Sequence, residues 1–321
     1  MLVVCPFFQP ASRETDSVPY HSIVCVKQVP DTANVTAEAM KADGTVNRAA
    51  LPAIFNPEDL HALETALEIR DAHGGTVTAI SMGPPKAGEV LRDCLFRGAD
   101  RAVLITDRRA AASDTLATSY ILSQAIKTIG KYDFVFCGRQ AIDGDTAQVG
   151  PQCAEKLGIP QVTYLEKVVS LRDNTIRIRR NMGHGWEVVE ARLPVLVTVI
   201  QSANVPRPPA AKRIMKMKRA RVITELPGEI KAAMPDAPEA EINAAVERQA
   251  AELKSRGLLL EQWNLDDIGA DLSRCGMSGS PTKVYRIQAI VLRKEGYTAV
   301  PPTEEGIRGL IHELVVDRTL G

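Results

Sequence analysis

The sequence lacks net charge. Its 39 basic and 39 acidic side chains cancel, so no overall field draws a nucleic acid or an anionic membrane to the chain, and only a local patch remains for such a role. It lacks paired cysteines. Cys5, Cys25, Cys94, Cys137, Cys153 and Cys275 are scattered, with no Cys-x-x-Cys, and most lie inside apolar runs. They read as small buried hydrophobes of a reducing cytoplasm, not as disulfide, zinc or iron–sulfur ligands. It lacks a long apolar run. Nothing reaches the ~18 residues of a spanning helix, so no membrane insertion is expected. The N-terminus starts apolar, but prolines break it and it has no basic region, which makes it a poor signal peptide. Residues 1–21 read as an extension before the first strand. It also lacks any Ser/His/Asp set at catalytic spacing: His21, His61, His73, His184 and His312 stand alone and read as ordinary.

What is present is alternation. The 321 residues, 45% apolar and 24% charged, allow a sizeable core in one large or two modest domains. Ile23 to Val26 reads as a strand ending in a turn, Lys27 to Pro30. Asn56 is an N-cap candidate, and Pro57 opens a helix to Ala72 that Gly74-Gly75 ends. Strands at Thr76 to Met82, Ala102 to Thr106 and Asp133 to Cys137 alternate with helices at Lys86 to Arg97 and Asp114 to Ile129. Apolar, non-alternating strands between helices predict a Rossmann-like α/β fold, a parallel sheet with helices on both faces. Four segments after residue 160 (Val162 to Val169, Thr175 to Arg180, Trp186 to Glu190 and Pro194 to Ile200) read as a smaller antiparallel region. The α/β domain is placed at 22–222. The last part, 223–321, holds one amphipathic helix, Pro238 to Arg256, and reads as an arm with too little core of its own, packing on a partner subunit.

The most informative stretch is GRQAIDGDTAQVGP, Gly138 to Pro151. It follows an apolar strand and precedes a helical run, the local architecture that holds phosphates through loop amides and a helix N-terminus. It matches neither the dinucleotide fingerprint nor the P-loop. Gly144 suits close backbone approach or positive φ. Thr146 is a helix-cap candidate, and Gln148, Val149 and Gly150 present amides at the helix start. Asp143 and Asp145 lack a third ligand for a metal. The same DGDT also reads as a solvated turn.

Several segments, in order, carry a resemblance. CVKQVPDTA (Cys25 to Ala33), FNPEDLHALETAL (Phe55 to Leu67), SMGPP (Ser81 to Pro85), SDTLATSY (Ser113 to Tyr120), the loop above, LPVLVTV followed by PRPP, and SGSPTKV (Ser278 to Val284) resemble electron transfer flavoprotein β subunits over roughly residues 22–315. The loop and the long tail are similar to the electron-bifurcating subclass.

The resemblance implies a heterodimer with an α subunit, and FAD here in place of the AMP of ordinary β subunits. NADH would give a hydride to this FAD. One electron would pass to ferredoxin or flavodoxin, the other to the α-subunit FAD and an acyl-CoA dehydrogenase-type flavoenzyme. The chemistry is then the cofactor's, while the protein supplies position and potential. The alternative is a non-bifurcating β subunit with structural AMP. A rival from another class is a stand-alone adenine-nucleotide-binding stress-type protein.

Residue by residue, the resemblance assigns Val26, Lys27, Gln28 and Asn56 to the adenosine end, Asn56 doubling as a plain N-cap. Ser81 and Met82, with Gly83, end a strand where backbone meets adenine. Thr115 and Thr118 face phosphates, although Ser113 and Asp114 also read as caps. Gly138, Arg139, Gln140, Asp143, Gly144, Asp145, Thr146, Ala147, Gln148, Val149 and Gly150 form the loop. Arg139 places a cation beside an anionic reduced flavin or simply forms a salt bridge. The basic run Lys212 to Arg221 lies in or just after the partner-docking loop near 204–218, with Ile214, Met215 and Met217 as adaptable contacts, or is a solvated loop.

Overall fold

A computed structural model describes residues 19–31, 51–282 and 299–316. Strand β1 (Tyr20–Cys25) leads through the short β2 (Gln28–Pro30) and its antiparallel partner β3 (Ala53–Phe55) into helix α1 (Pro57–His73). Pro57 supplies the fixed φ that suits a first helical turn, and Gly74 closes the helix at φ 80°. Strand β4 (Gly75–Met82), α2 (Gly88–Arg97) and β5 (Arg101–Ile105) follow. Asp114 then caps α3 (Thr115–Ile129), its side chain accepting from the Ala117 amide. Next come β6 (Phe134–Gly138) and α4 (Val149–Leu157).

Among the described residues the sheet has nine strands, of which β11, β5, β4, β1, β6, β10 and β7 are parallel neighbours in that order. Here β7 is Gln161–Arg172, β10 is Val195–Val199 and β11 is Glu261–Trp263. Strands β8 (Thr175–Asn181) and β9 (Trp186–Arg192) extend it as an antiparallel meander beyond β7. Two apolar layers fill the faces. Val24, Phe134, Phe136 and Val197 belong to one core, with Leu63, Leu67 and Leu91 from α1 and α2. Ile23, Ile80, Val135 and Leu196 belong to the other, with Ile121, Ile126 and Cys153 from α3 and α4.

Three sequence expectations change. Pro194 to Ile200 does not join the antiparallel meander: β10 runs parallel between β6 and β7. Its five residues are all buried, the signature of a strand covered on both faces, where alternation is absent. The first strand starts at Tyr20, inside the stretch read as an extension, and Tyr20 packs edge-on against Phe134 and His73. Residues 28–30 form a short strand, not a turn.

The tail after residue 222 also returns to this chain's own sheet. Helices α6 (Leu226–Ala233) and α7 (Glu239–Ser255) seat Leu226, Ile230 and Leu253 in the first core. Strand β11 pairs with β5, and Leu265, Ile268 and Cys275 enter the second core. Helix α8 (Glu304–Val316), by contrast, shows its apolar side to solvent, with Ile307, Ile311 and Val315 exposed. The basic run forms the exposed α5 (Ala211–Met217). Residues 1–18, with Cys5, and the end of SGSPTKV lie outside the described residues.

Leu265 is fully buried, so Leu265→Ala is expected to cost about 2–5 kcal/mol in urea unfolding of the complex. A loss under ~0.5 kcal/mol would mean the tail only brushes the sheet.

Candidate functional site

The chain builds β1, β4 and β5 in one direction and then crosses to lay β6 on the other side of β1. Beyond the carboxyl ends of β1 and β6 the connections diverge and leave a crevice, the place where open α/β sheets take ligands. A cavity of about 380 Å³ lies there.

Four backbone amides at these ends would face the crevice unpaired, and the first turn of α1 supplies their acceptors. Asp59 accepts from the Lys27 amide at 2.8 Å and the Gly138 amide at 3.0 Å. Glu58 accepts from the Gln140 amide at 2.8 Å and pairs with the Arg139 guanidinium at 2.8 Å. Asn56 accepts from the Ile142 amide at 3.1 Å and donates to the Gln140 carbonyl at 2.9 Å. All three side chains are buried. Gly138 cannot carry a side chain here, because a Cβ would stand 2.4 Å from the Asp59 carboxylate and 2.7 Å from the Glu58 backbone.

The helices α3 and α4 both begin at the cavity. Thr115, Thr118, Val149 and Gly150 line it, and the Thr115 hydroxyl donates to the Gln148 side chain at 2.9 Å. Two converging helix starts favour negative charge between them. The loop between β6 and α4 is braced across the crevice. Lys27 holds Asp143 at 2.8 Å, and Gln140 donates to Asp145 at 2.9 Å. Asp145 and Ala147 adopt φ of 50° and 54°, a left-handed conformation that costs a non-glycine residue roughly 1 kcal/mol or more. Gly144 does not take this conformation. Of the two roles open to Gly144, the positive φ falls instead on Asp145 and Ala147.

Of the residues singled out in the sequence, Val26, Lys27, Met82, Thr115 and Thr118 line this cavity. So do Gly138, Arg139, Gln140, Gly144, Asp145, Thr146, Ala147, Gln148, Val149 and Gly150. Gln28, Asn56, Ser81, Gly83 and Asp143 stand apart from the lining. Gln28 donates to Glu89 at 2.8 Å. Asn56 bonds the loop backbone through both polar atoms and is not a side-chain cap. Ser81 is buried, with its hydroxyl unpartnered. Asp143 faces Lys27. Thr146 does not cap α4, whose N-cap is Gln148.

Sequence reasoning missed Asp59, Cys25, Cys137 and Leu122, which also line the cavity. An acid in a first helical turn looks like ordinary dipole complementarity, so Asp59 gave no sign of its second use. Burial pushes its carboxyl up to about 7, against the pull of Asn56, the Lys27 and Gly138 amides and the Lys27 charge. The hydrogen bond with the neighbouring Cys25, and then burial, hold the Cys137 thiol far above its usual range.

A second cavity of about 660 Å³ adjoins, and Arg139 lines both. Its other walls include Glu58, Tyr164, Arg180, Met182 and Ile200. The Nε atoms of Arg139 and Arg180 are buried without a protein partner, and Tyr164 sits at φ 60°. None of Tyr164, Arg180 and Met182 belonged to a recognisable motif.

Comparison with known proteins agrees with this geometry. The model of the electron transfer flavoprotein domain matches residues 43–226. The chain is 41% identical over 292 residues to the electron transfer flavoprotein subunit beta of Clostridium acetobutylicum, covering 91% of this chain and 96% of that one. It is 38% identical to the protein FixA of Sinorhizobium fredii, covering 92% of each. It is 41% identical to the caffeyl-CoA reductase–Etf complex subunit CarD of Acetobacterium woodii, covering 82% and 86%. With a fold, a loop and relatives that agree over most of its length, the chain belongs to the electron transfer flavoprotein family, as a member of its β-subunit branch.

Proposed function

We propose that this β subunit binds FAD across the two adjoining cavities and works as the bifurcating half of a heterodimer with an α subunit. One observation carries the reading: Arg139 lines both the cavity at the phosphate-side loop and a second, larger cavity beside it. The first cavity alone, about 380 Å³, is at the small end for ligand sites and is sized for an adenosine phosphate. A dinucleotide needs the second.

The residues fit such a group. The starts of α3 and α4 suit a pyrophosphate, and Val26 and Met82 give apolar walls for adenosine. In the second cavity, Arg139 and Arg180 each carry a buried Nε without a partner, and Tyr164 gives an aromatic wall. A flavin bound here would supply acceptance of a hydride from NADH and its division into single electrons. The chain's own contribution is positional. The guanidinium groups favour negative charge in the second cavity, the loop and α1 hold the phosphate side, and the covered sheet excludes water from below.

The onward routes in this reading are ferredoxin or flavodoxin for one electron. The other passes to the α-subunit flavin and an acyl-CoA dehydrogenase-type partner. The relative CarD, named as part of a caffeyl-CoA reductase–Etf complex, supports a partner that acts on acyl-CoA. The exposed α5, cationic and bearing Met215, suits docking of a redox partner. The apolar side of α8 suits the α subunit. A cytoplasmic site of action goes with the free, buried cysteines. Among the described residues no helix is long and apolar enough to cross a membrane.

Flavin and AMP content of the heterodimer tests the reading. About two FAD and no AMP per heterodimer is the expected result, and one FAD with one AMP would leave an ordinary single-flavin carrier. Arg180→Ala, which leaves the first cavity intact, is expected to lower FAD retention severalfold without changing affinity for AMP. Equal loss of both would place the defect in the fold rather than in the second cavity.

A further inference from the structure

The carboxylate of Asp59 occupies an unusual position. It sits on the floor of the cavity, belongs to neither strand it contacts, and ties the ends of β1 and β6 together through one oxygen each. The side chain is buried, and the missing Cβ of Gly138 makes room for it. An acid here is at odds with a cavity formed by two helix starts, which favour an anionic ligand.

We propose that Asp59 is a positioning residue of the nucleotide site, locking the ends of β1 and β6 together and taking up a proton when an anionic nucleotide enters. The proposal rests on reading the cavity as a nucleotide site, but not on whether the resident group is FAD or AMP. Ionised, the carboxylate offers two full acceptors to the two strand-end amides. A pyrophosphate brought into the same low-dielectric cavity is a like charge, and like charge favours the protonated carboxyl. A carboxylic acid still accepts weakly through both oxygens, so the strand ends stay joined while the repulsion disappears.

The surrounding groups leave this carboxyl as the responsive one. From β1 and its end come Cys25 and Lys27, the latter engaged with Asp143 at 2.8 Å. From β6 come Cys137 and Arg139, and Arg139 is engaged with Glu58 on α1 at 2.8 Å. From α2 comes Cys94, and across the cavity stand Asp114 and Asp145, one capping α3 and the other held by Gln140. The Cys94 and Cys137 thiols are held well above their usual range, chiefly by burial for Cys94 and by Cys25 with burial for Cys137, and stay protonated at neutral pH. Burial, opposed by the Asn56 side chain, the Lys27 and Gly138 amides and the Lys27 charge, places the Asp59 carboxyl at about 7, within reach of a ligand's field.

The test uses the nucleotide-depleted heterodimer and ADP-ribose, whose pyrophosphate diester keeps a constant charge across the range. Calorimetry in two buffers of different ionisation enthalpy, near pH 7, is expected to report net proton uptake by the wild-type complex. Its dissociation constant is expected to rise about three- to tenfold between about pH 6 and about pH 8.5, tenfold corresponding to a ligand-induced pKa rise of about one unit. Asp59→Asn presents an acceptor to one strand-end amide and an NH₂ to the other. It is expected to bind with a flat pH profile. No proton uptake by the wild type, or an unchanged pH slope in Asp59→Asn, overturns the proposal. Tight, pH-independent binding by the wild type overturns this proposal alone. Absence of saturable binding at every pH overturns the nucleotide reading together with it.

Discussion

Everything at the crevice depends on the need to satisfy backbone amides where two neighbouring strands part. Inside the sheet, β1 and β6 pair with each other. Past their ends, Lys27, Gly138, Gln140 and Ile142 have donors but no strand to accept from them, and buried amides rarely stay unpaired. Asn56, Glu58 and Asp59 answer all four from a single turn of helix. The start of α1 is therefore the fastening of the site. Its order Asn-Pro-Glu-Asp serves two demands, since the proline starts the helix and the polar residues hold what lies beside it.

This arrangement sets an electrostatic balance. Glu58 and Asp59 bring negative charge beneath a cavity that two helix starts make attractive to anions. Lys27 and Arg139 offset part of it, each paired with an acid. The loop carries strain as well, in the left-handed Asp145 and Ala147. That strain persists because braces from Lys27, Gln140 and Asn56 hold the loop on both sides. Backbone strain next to a braced cavity is a common mark of ligand sites.

Much of this was legible in the sequence. The parallel order of the first strands followed from apolar runs between helices, and the loop from Gly138 to Gly150 was marked by its position between strand and helix. The family resemblance rested on short segments that the fold brings to one edge of the sheet. What escaped detection escaped for physical reasons. Strand β10 follows directly on two meander strands, and only its unbroken apolar run of five buried residues sets it apart from them. Asp59 sits in a first helical turn, where an acid is ordinary, and a local pattern cannot reveal a partner almost 80 residues away. Asn56 looked like a cap because caps and long-range latches use the same residue types. Tyr164 and Arg180 lie in an ordinary strand pattern, and only folding turns them toward Arg139.

The return of the tail has a consequence for synthesis. Strand β5 is complete at Ile105, but the strand that covers its outer edge, β11, starts only at Glu261. On the ribosome that edge waits for about 155 further residues, on the order of ten seconds or more at ordinary elongation rates. Throughout that interval a nascent chain carries an open, parallel strand edge of the kind that recruits strands from other chains. Helix α2 and the buried side chains of β5 can settle early, whereas Leu258, Leu260 and Leu265 arrive last and seal the margin. The final quarter of this chain thus works as a closing clasp, and a chain that stops before it leaves the ribosome with its sheet unfinished.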